Sequence, residues 1–182
     1  MKDVPISQTI VETERLLLRF FTENDYEHLY KLHTDKDVMK LYPGGIKTKE
    51  QIQQDLDSYI SHQQKYAFSK WVCILKETEE FLGRAGIAYI DSGEVEVGYL
   101  FLPEYWGNGY ATEALRAILK WTFINTNISK LIGFTHTENI ASKMVMKKSG
   151  MNFYKRDLCE GLNSDFYSIV KPDLPFPKNP SS

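Results

Sequence analysis

The sequence predicts a mixed α/β fold around one central sheet, and three observations carry that reading. Apolar runs at 71–75, 81–89 and 95–102 are separated by short polar turns, which favours an antiparallel meander. The period then changes: Ala111, Ala114, Leu115, Ile118, Leu119 and Thr122 recur at helical spacing and form one core-facing stripe. A strand at 131–135, a helix at 140–148 and two closing strands complete a sheet with one strand–helix–strand crossover.

Each element has a local reason. Leu16-Leu17-Leu18-Arg19-Phe20 reads as the first strand. Thr22 or Asn24 can cap a helix on which Tyr26, Leu29, Tyr30 and His33 share a face. Pro43-Gly44-Gly45 breaks the chain. Thr48 opens a second helix, with Gln51 completing a capping box and Ile52, Leu56, Tyr59 and Ile60 forming its apolar stripe. Gly150 stops the helix at 140–148 as its C-cap, and strands at 152–158 and 165–170 finish the sheet. About four helices result. The domain is expected at 12–171 with tails at 1–11 and 172–182, because Pro172, Pro175, Pro177 and Pro180 cannot propagate a helix or a central strand.

At 182 residues the chain suffices for one domain with a sizeable core. Its net charge is −2, and no segment gathers Lys and Arg into a phosphate-binding stripe, which argues against nucleic acid. No apolar run approaches the roughly 20 residues of a membrane span, and the N-terminus lacks the apolar region of a signal peptide. A cytoplasmic protein with no membrane partner is the expectation, as monomer or homodimer. Cys73 and Cys159 stand far apart in no metal-ligand spacing, so reduced structural thiols and no metal are expected.

The stretch 102–114 concentrates the functional information. A strand runs into a turn bearing Gly107 and Gly109, and the turn runs into a helix. The first turn of a helix has N–H groups without intrahelical partners at its electropositive end. Glycines let a pyrophosphate approach that backbone, and Ala111 keeps the approach clear. Taken alone, Gly-x-Gly-x-x-Thr also reads as a tight loop at positive φ. A dinucleotide-binding loop fits less well: the motif follows a meander, and Thr126-Asn127-Ile128 stands where an acidic ribose partner is wanted.

The longer string from Glu96-Val97-Gly98-Tyr99 through Trp106-Gly107-Asn108-Gly109-Tyr110-Ala111-Thr112-Glu113-Ala114 closely resembles the signature of the GNAT superfamily of acetyl-CoA-dependent N-acetyltransferases. It is most similar to the branch of the ribosomal-protein N-terminal acetyltransferases. Thr13-Glu14-Arg15-Leu16 resembles that branch's opening strand, and Asn139-Ile140-Ala141-Ser142 with Lys148-Ser149-Gly150-Met151 its later helix. The resemblance implies a GNAT fold in which the strand at 96–102 and the strand at 131–135 splay apart around acetyl-pantetheine. It implies that main-chain groups of Leu100 and Leu102 pair with the pantetheine amides. Gly107, Asn108, Gly109, Tyr110, Ala111 and Thr112 would hold the pyrophosphate, and Asn139 and Ser142 would contact the pantetheine arm or the thioester. Many members carry a Tyr that protonates the leaving thiolate; that position is Met146 here, which leaves Ser142 as the nearest replacement.

A Lys-like amine has a pKa near 10.4, so transfer needs a base, an oxyanion donor and a proton for the thiolate. The resemblance makes Glu96 the base, directly or through water, whereas Glu94 reads as a solvated strand residue. A backbone N–H near Leu100 would serve the oxyanion. His136 is an alternative base or a structural histidine; His28, His33 and His62 read as surface or groove residues. The acceptor amine, a protein N-terminus or a small molecule, would enter opposite the CoA, beside the first two helices. A non-catalytic acyl-CoA sensor of the same fold is the rival reading.

Overall fold

A computed structural model describes residues 9–172. In chain order these form β1 (Thr9–Glu12), β2 (Leu16–Arg19), α1 (Tyr26–Thr34), α2 (Lys36–Met39), α3 (Lys49–Tyr66), β3 (Lys70–Leu75) and β4 (Phe81–Tyr89). There follow β5 (Val95–Phe101), α4 (Tyr110–Asn125), β6 (Lys130–His136), α5 (Ile140–Lys148), β7 (Asn152–Cys159) and β8 (Leu162–Val170). The strands make one sheet in the order β1-β2-β3-β4-β5-β6-β8-β7. Every neighbouring pair is antiparallel except β5–β6.

Local chemistry sets the helix ends. The Gln51 N–H donates to Thr48 Oγ1 at 3.3 Å and the Thr48 N–H donates to Gln51 Oε1 at 2.8 Å, which is the capping box at the start of α3. Asp35 caps α2, accepting from the N–H groups of Asp37 and Val38. That short helix was not anticipated, and it raises the α-helix count among the described residues to five. The sheet also begins earlier than expected: Thr9 already pairs with Arg19, and Val11 is buried. The parts of the expected tails at 1–8 and 173–182 lie outside the described residues.

Strand alternation sorts side chains onto two faces. Trp71, Cys73, Ala85, Ile87, Val97 and Phe101 pack against α4, whose Ala114, Leu115, Ile118 and Leu119 are buried as the stripe predicts. On the other face Val72, Phe81 and Leu102 pack against Leu29, Leu32, Ile52 and Leu56 of α1 and α3. The product is a three-layer α/β structure with two cores. Among the described residues no helix is long and apolar enough to cross a membrane.

One feature of the sheet positions the site. β5 and β6 run parallel and pair at one register, Glu96 with Ile132. Past that pair each follows its other neighbour: β5 stays registered to β4 as far as Phe101, and β6 to β8 as far as His136. The two strands therefore part into a wedge that opens toward their C-terminal ends, with Glu96 at its apex.

Candidate active site

The wedge is lined on the β5 side by main-chain groups whose direction follows from antiparallel pairing. The Leu102 N–H donates to Leu82 O at 2.8 Å, and a Cβ built on Gly83 would fall 2.1 Å from Leu100 O. Even-numbered residues of β5 thus turn their amides toward β4. The Leu102 carbonyl also accepts from Tyr105 N–H at 3.0 Å. The main-chain groups that face the wedge belong to Val97, Tyr99 and Phe101, and the Phe101 carbonyl already accepts from Trp106 Nε1 at 2.7 Å. The expected pairing of Leu100 and Leu102 with pantetheine amides is corrected accordingly: a strand presents alternate residues to each neighbour, and these two are committed to β4.

Beyond β5, one 3-10 turn at Pro103–Tyr105 leads to the glycine loop. Gly107 and Gly109 adopt φ of +79° and +82°, the left-handed region that favours glycine. Gly109 is the N-cap of α4 and supplies no side-chain cap, and the first helical bond is Glu113 N–H to Gly109 O at 3.0 Å. The N–H groups of Tyr110, Ala111 and Thr112 therefore stand at the helix start without intrahelical partners. Asn108 Nδ2 donates to the carbonyls of Tyr105 and Trp106, gathering loop acceptors on one side. A Cβ on Gly107 would meet nothing within 4 Å, so open space lies beside the loop. Free donors, a helix dipole and room for a bulky anion suit a pyrophosphate.

A brace the sequence reading missed fixes this loop. Arg15 donates to Glu113 through Nε at 2.7 Å and to Asn108 O through Nη1 at 3.1 Å, and its guanidinium lies 4.5 Å from the Tyr110 ring centroid. Thr13 Oγ1 donates to Glu113 Oε1 at 2.6 Å. The Thr-Glu-Arg segment before β2 and the Glu of the helix start, read separately in the sequence, are one interlocked unit.

At the far wall of the wedge, Asn139 caps α5: its Oδ1 accepts from Ser142 N–H at 3.0 Å. The Tyr99 hydroxyl donates to Ser142 O at 3.0 Å, and its Oη also lies 2.9 Å from Ser142 Oγ, where Ser142 is then the donor. A hydroxyl pair thus bridges the wedge from β5 to α5. Burial pushes the Tyr99 phenol up, which keeps it protonated. Met146 is buried against Gly133, with Sδ 3.1 Å from a Cβ placed there. It is a core residue, and the phenol on this wall comes from Tyr99 instead.

On the α1/α3 face Glu96 is not a free carboxylate. Its Oε2 lies 2.7 Å from Nζ of Lys70, a buried residue of β3. Burial pushes the Lys70 pKa down, against the pull of Glu96. The pair meets over Gly98, where a Cβ would come within 2.6 Å of Glu96 Oε1 and 2.9 Å of Lys70 Nζ. Only a glycine leaves that space. Lys70 escaped the sequence reading because nothing local ties β3 to β5, and β4 lies between them.

The same face holds Arg84, directly across from Leu100 in the β4–β5 register and 3% exposed. Its guanidinium approaches Tyr42 Oη at 3.2 Å and His33 Nε2 at 3.5 Å, and stacks near the rings of Tyr42 and Tyr59. His33, expected at the surface or in a groove, is wholly buried. Its Nδ1 lies 3.0 Å from Asp55 Oδ2 but without hydrogen-bond alignment, and Asp55 also receives Lys47 Nζ at 2.6 Å. Burial pushes the His33 pKa down, so the ring is neutral near pH 7. His62 is part-buried, with Nδ1 on Phe68 O at 2.8 Å and Nε2 on Tyr89 N–H at 3.1 Å, a structural role. His136 Nδ1 accepts from Glu138 N–H at 3.2 Å. Glu94 pairs with Lys130 at the surface, as its solvated reading expects. Cys73 and Cys159 are both unpaired thiols, and burial pushes both up, away from the thiolate. Among the described residues no group of three or more His, Cys, Asp or Glu is arranged for a metal.

Comparison with known proteins agrees with this geometry. The family model described as an acetyltransferase (GNAT) domain matches residues 15–152. The uncharacterised N-acetyltransferase YnaD of Bacillus subtilis is 33% identical over 170 residues, spanning 90% of this chain and 98% of that protein. The solved acetyltransferase (GNAT family) from Bacillus anthracis superposes with a TM-score of 0.77 at 28% identity, covering 88% of this chain and 98% of that one. RimL, a ribosomal L7/L12 α-N-protein acetyltransferase solved with coenzyme A, shares the fold at a TM-score of 0.75 and 16% identity, over 89% of this chain and 97% of its own. The wedge, the glycine loop and the hydroxyl bridge are thus features of a protein that belongs to the GNAT acetyltransferase family, an acetyl-CoA-dependent acyltransferase.

Proposed function

We propose that this chain moves the acetyl group of acetyl-CoA to a primary amine by direct attack in a ternary complex. The observation that carries the reading is the wedge between β5 and β6, with the Glu96 carboxylate at its apex. The N-acetyltransferase names of its relatives support an amine as the acceptor.

In this reading the N–H groups of residues 107–112 hold the pyrophosphate, and main-chain groups of Val97 and Tyr99 with the Phe101 N–H align the pantetheine arm. The acceptor enters on the α1/α3 face. The Glu96–Lys70 pair receives the ammonium proton, and the freed amine forms the new N–C bond as the thioester C–S bond breaks. The Tyr99 N–H is the oxyanion donor. Ser142, backed by the Tyr99 hydroxyl, returns a proton to the departing thiolate. Both thiols of the chain sit in surroundings that favour the protonated form, which supports direct transfer over an acetyl-cysteine intermediate.

A panel of amines incubated with acetyl-CoA, read by thiol release, tests the proposal. Turnover is expected with at least one class of primary amine. Coenzyme A binding without thiol release from any amine would favour the acyl-CoA sensor instead.

A further inference from the structure

Arg84 is the cation of this site that no carboxylate answers. Glu96 is met by Lys70 at 2.7 Å and Asp55 by Lys47 at 2.6 Å, whereas no carboxylate among the described residues comes within ion-pair distance of Arg84. The guanidinium has five N–H donors in a planar fork. Its side-chain partners are neutral and distant: a phenol at 3.2 Å and an imidazole nitrogen at 3.5 Å. The two flanking tyrosine rings attract the charge through their faces but accept no forked hydrogen bonds. Glu96 and Asp55 act on it only from beyond ion-pair distance; a buried charge with no directly bonded anion is costly, and guanidinium geometry is suited to a carboxylate taken by two parallel N–H bonds.

The position of this charge points to the acceptor. Arg84 lies across from Leu100, one residue along β5 from Tyr99, whose main chain faces the wedge. It shares the α1/α3 face with Glu96, which stands four residues along the neighbouring strand, about 13 Å away between backbones, so that the two side chains reach toward each other from either end of that stretch. An acceptor whose nitrogen lies between the two side chains would set a substituent against the guanidinium.

We infer that the acceptor is an amine carrying a carboxylate, and that Arg84 is the residue that selects it. The inference rests on the transferase reading above and names its substrate class. The Lys70–Glu96 pair handles the proton, so Arg84 acts on binding and orientation, not on the basicity of the site.

Matched acceptors test it in a thiol-release assay. Free amino acids are compared with their amides, and short peptides with Asp or Glu at the second position with their Asn or Gln counterparts; the two arms separate an α-carboxylate from an acidic side chain. The wild-type protein should favour the carboxylated member of one arm by about 10²-fold or more in kcat/KM. Arg84→Gln should bring that ratio close to one, with the loss confined to the carboxylated member and to KM-weighted terms, while coenzyme A affinity is unchanged. Neutral members turned over as well as carboxylated ones by the wild type, or an equal loss on both members in the variant, would overturn the proposal. The wild-type ratio decides the matter even if Arg84→Gln does not fold. Coenzyme A affinity, measured by calorimetry, keeps the two readings apart: its absence from the wild type sinks the transferase reading itself, whereas binding with turnover of neutral amines alone sinks only the assignment to Arg84.

Discussion

Arg15 and Glu113, 98 positions apart in the chain, are joined by Nε–Oε2 and Nη2–Oε2 contacts of 2.7 and 2.6 Å, and the same guanidinium reaches Asn108 O at 3.1 Å. The pair ties the entry to β2 to the first turn of α4 and holds the loop between them. Its side chains are partly solvated, so its worth to global stability is small, about 1 kcal/mol or less. Its effect on the loop should be larger. Arg15→Ala is expected to lower coenzyme A affinity several-fold with little change in melting temperature. Equal affinity in a titration of both proteins would show that the loop needs no brace.

Gly109 holds φ at +82° where α4 begins, with Arg15 Nη2 3.6 Å from the position of a Cβ. A β-branched residue there carries strain of about 1–3 kcal/mol and crowds the approach to the unpaired N–H groups. Gly109→Val should weaken coenzyme A binding by well over tenfold. Ala111→Asp should do the same by setting a negative charge at the anion site. Unaltered affinity in either folded variant would remove the loop from the binding site.

Proton transfer by a positioned group contributes about 10²–10⁴-fold. Glu96→Gln keeps the shape of the side chain and removes its basicity, so kcat should fall within that range while coenzyme A affinity holds. The deficit should shrink at high pH, where free amine is abundant. Activity within about threefold of wild type across pH 6–9 would reduce Glu96 to a strand residue and direct attention to Lys70 or His136. Gly98→Ala offers a second route to the same pair, since its Cβ would sit 2.6 Å from Glu96 Oε1 and force the carboxylate aside.

Acid sensitivity should centre on Asp25. Its carboxylate, 1% exposed, accepts from Arg19 at 2.7 and 2.9 Å and from Thr22 N–H at 2.8 Å. Burial opposes its charge, but the bonds with Arg19, His28 and Thr22 and the Arg19 charge outweigh that and hold its pKa well below the usual range. A carboxyl depressed in the folded state adds stability above its unfolded pKa of about 3.9, and the contribution is lost as pH falls through the folded value. Asp25→Asn should therefore cost about 3–5 kcal/mol at pH 7, by leaving Arg19 buried and unpaired, and much less at pH 2. Urea denaturation at the two pH values measures this. An equal cost at both would mean that shape, not charge, is what Asp25 supplies.

The elements that the sequence determined by itself are those whose physics is local. The α4 stripe from Ala114 to Leu119 is buried as its spacing requires, and the Thr48–Gln51 capping box forms between residues three apart. The glycine loop falls between β5 and α4 because Gly107 and Gly109 carry their conformational freedom wherever they stand. Tertiary structure decided the rest. Which β5 amides face the wedge depends on a register with β4 that no run of apolar residues specifies, and so the wedge-facing main chain falls to the odd-numbered neighbours of Leu100 and Leu102. His33 reads as a polar residue on a helix until α3 and β4 close over it and bring Asp55 and Arg84 against its ring. Lys70 and Arg84 sit on strands whose patterns say only that they are strands. Their pairing, or lack of it, arises when the sheet order sets Lys70 near Glu96 across the bare backbone of Gly86 and Gly98, and leaves Arg84 among tyrosines. Charge neutralisation is a property of neighbours in space, and a sequence orders neighbours only along the chain.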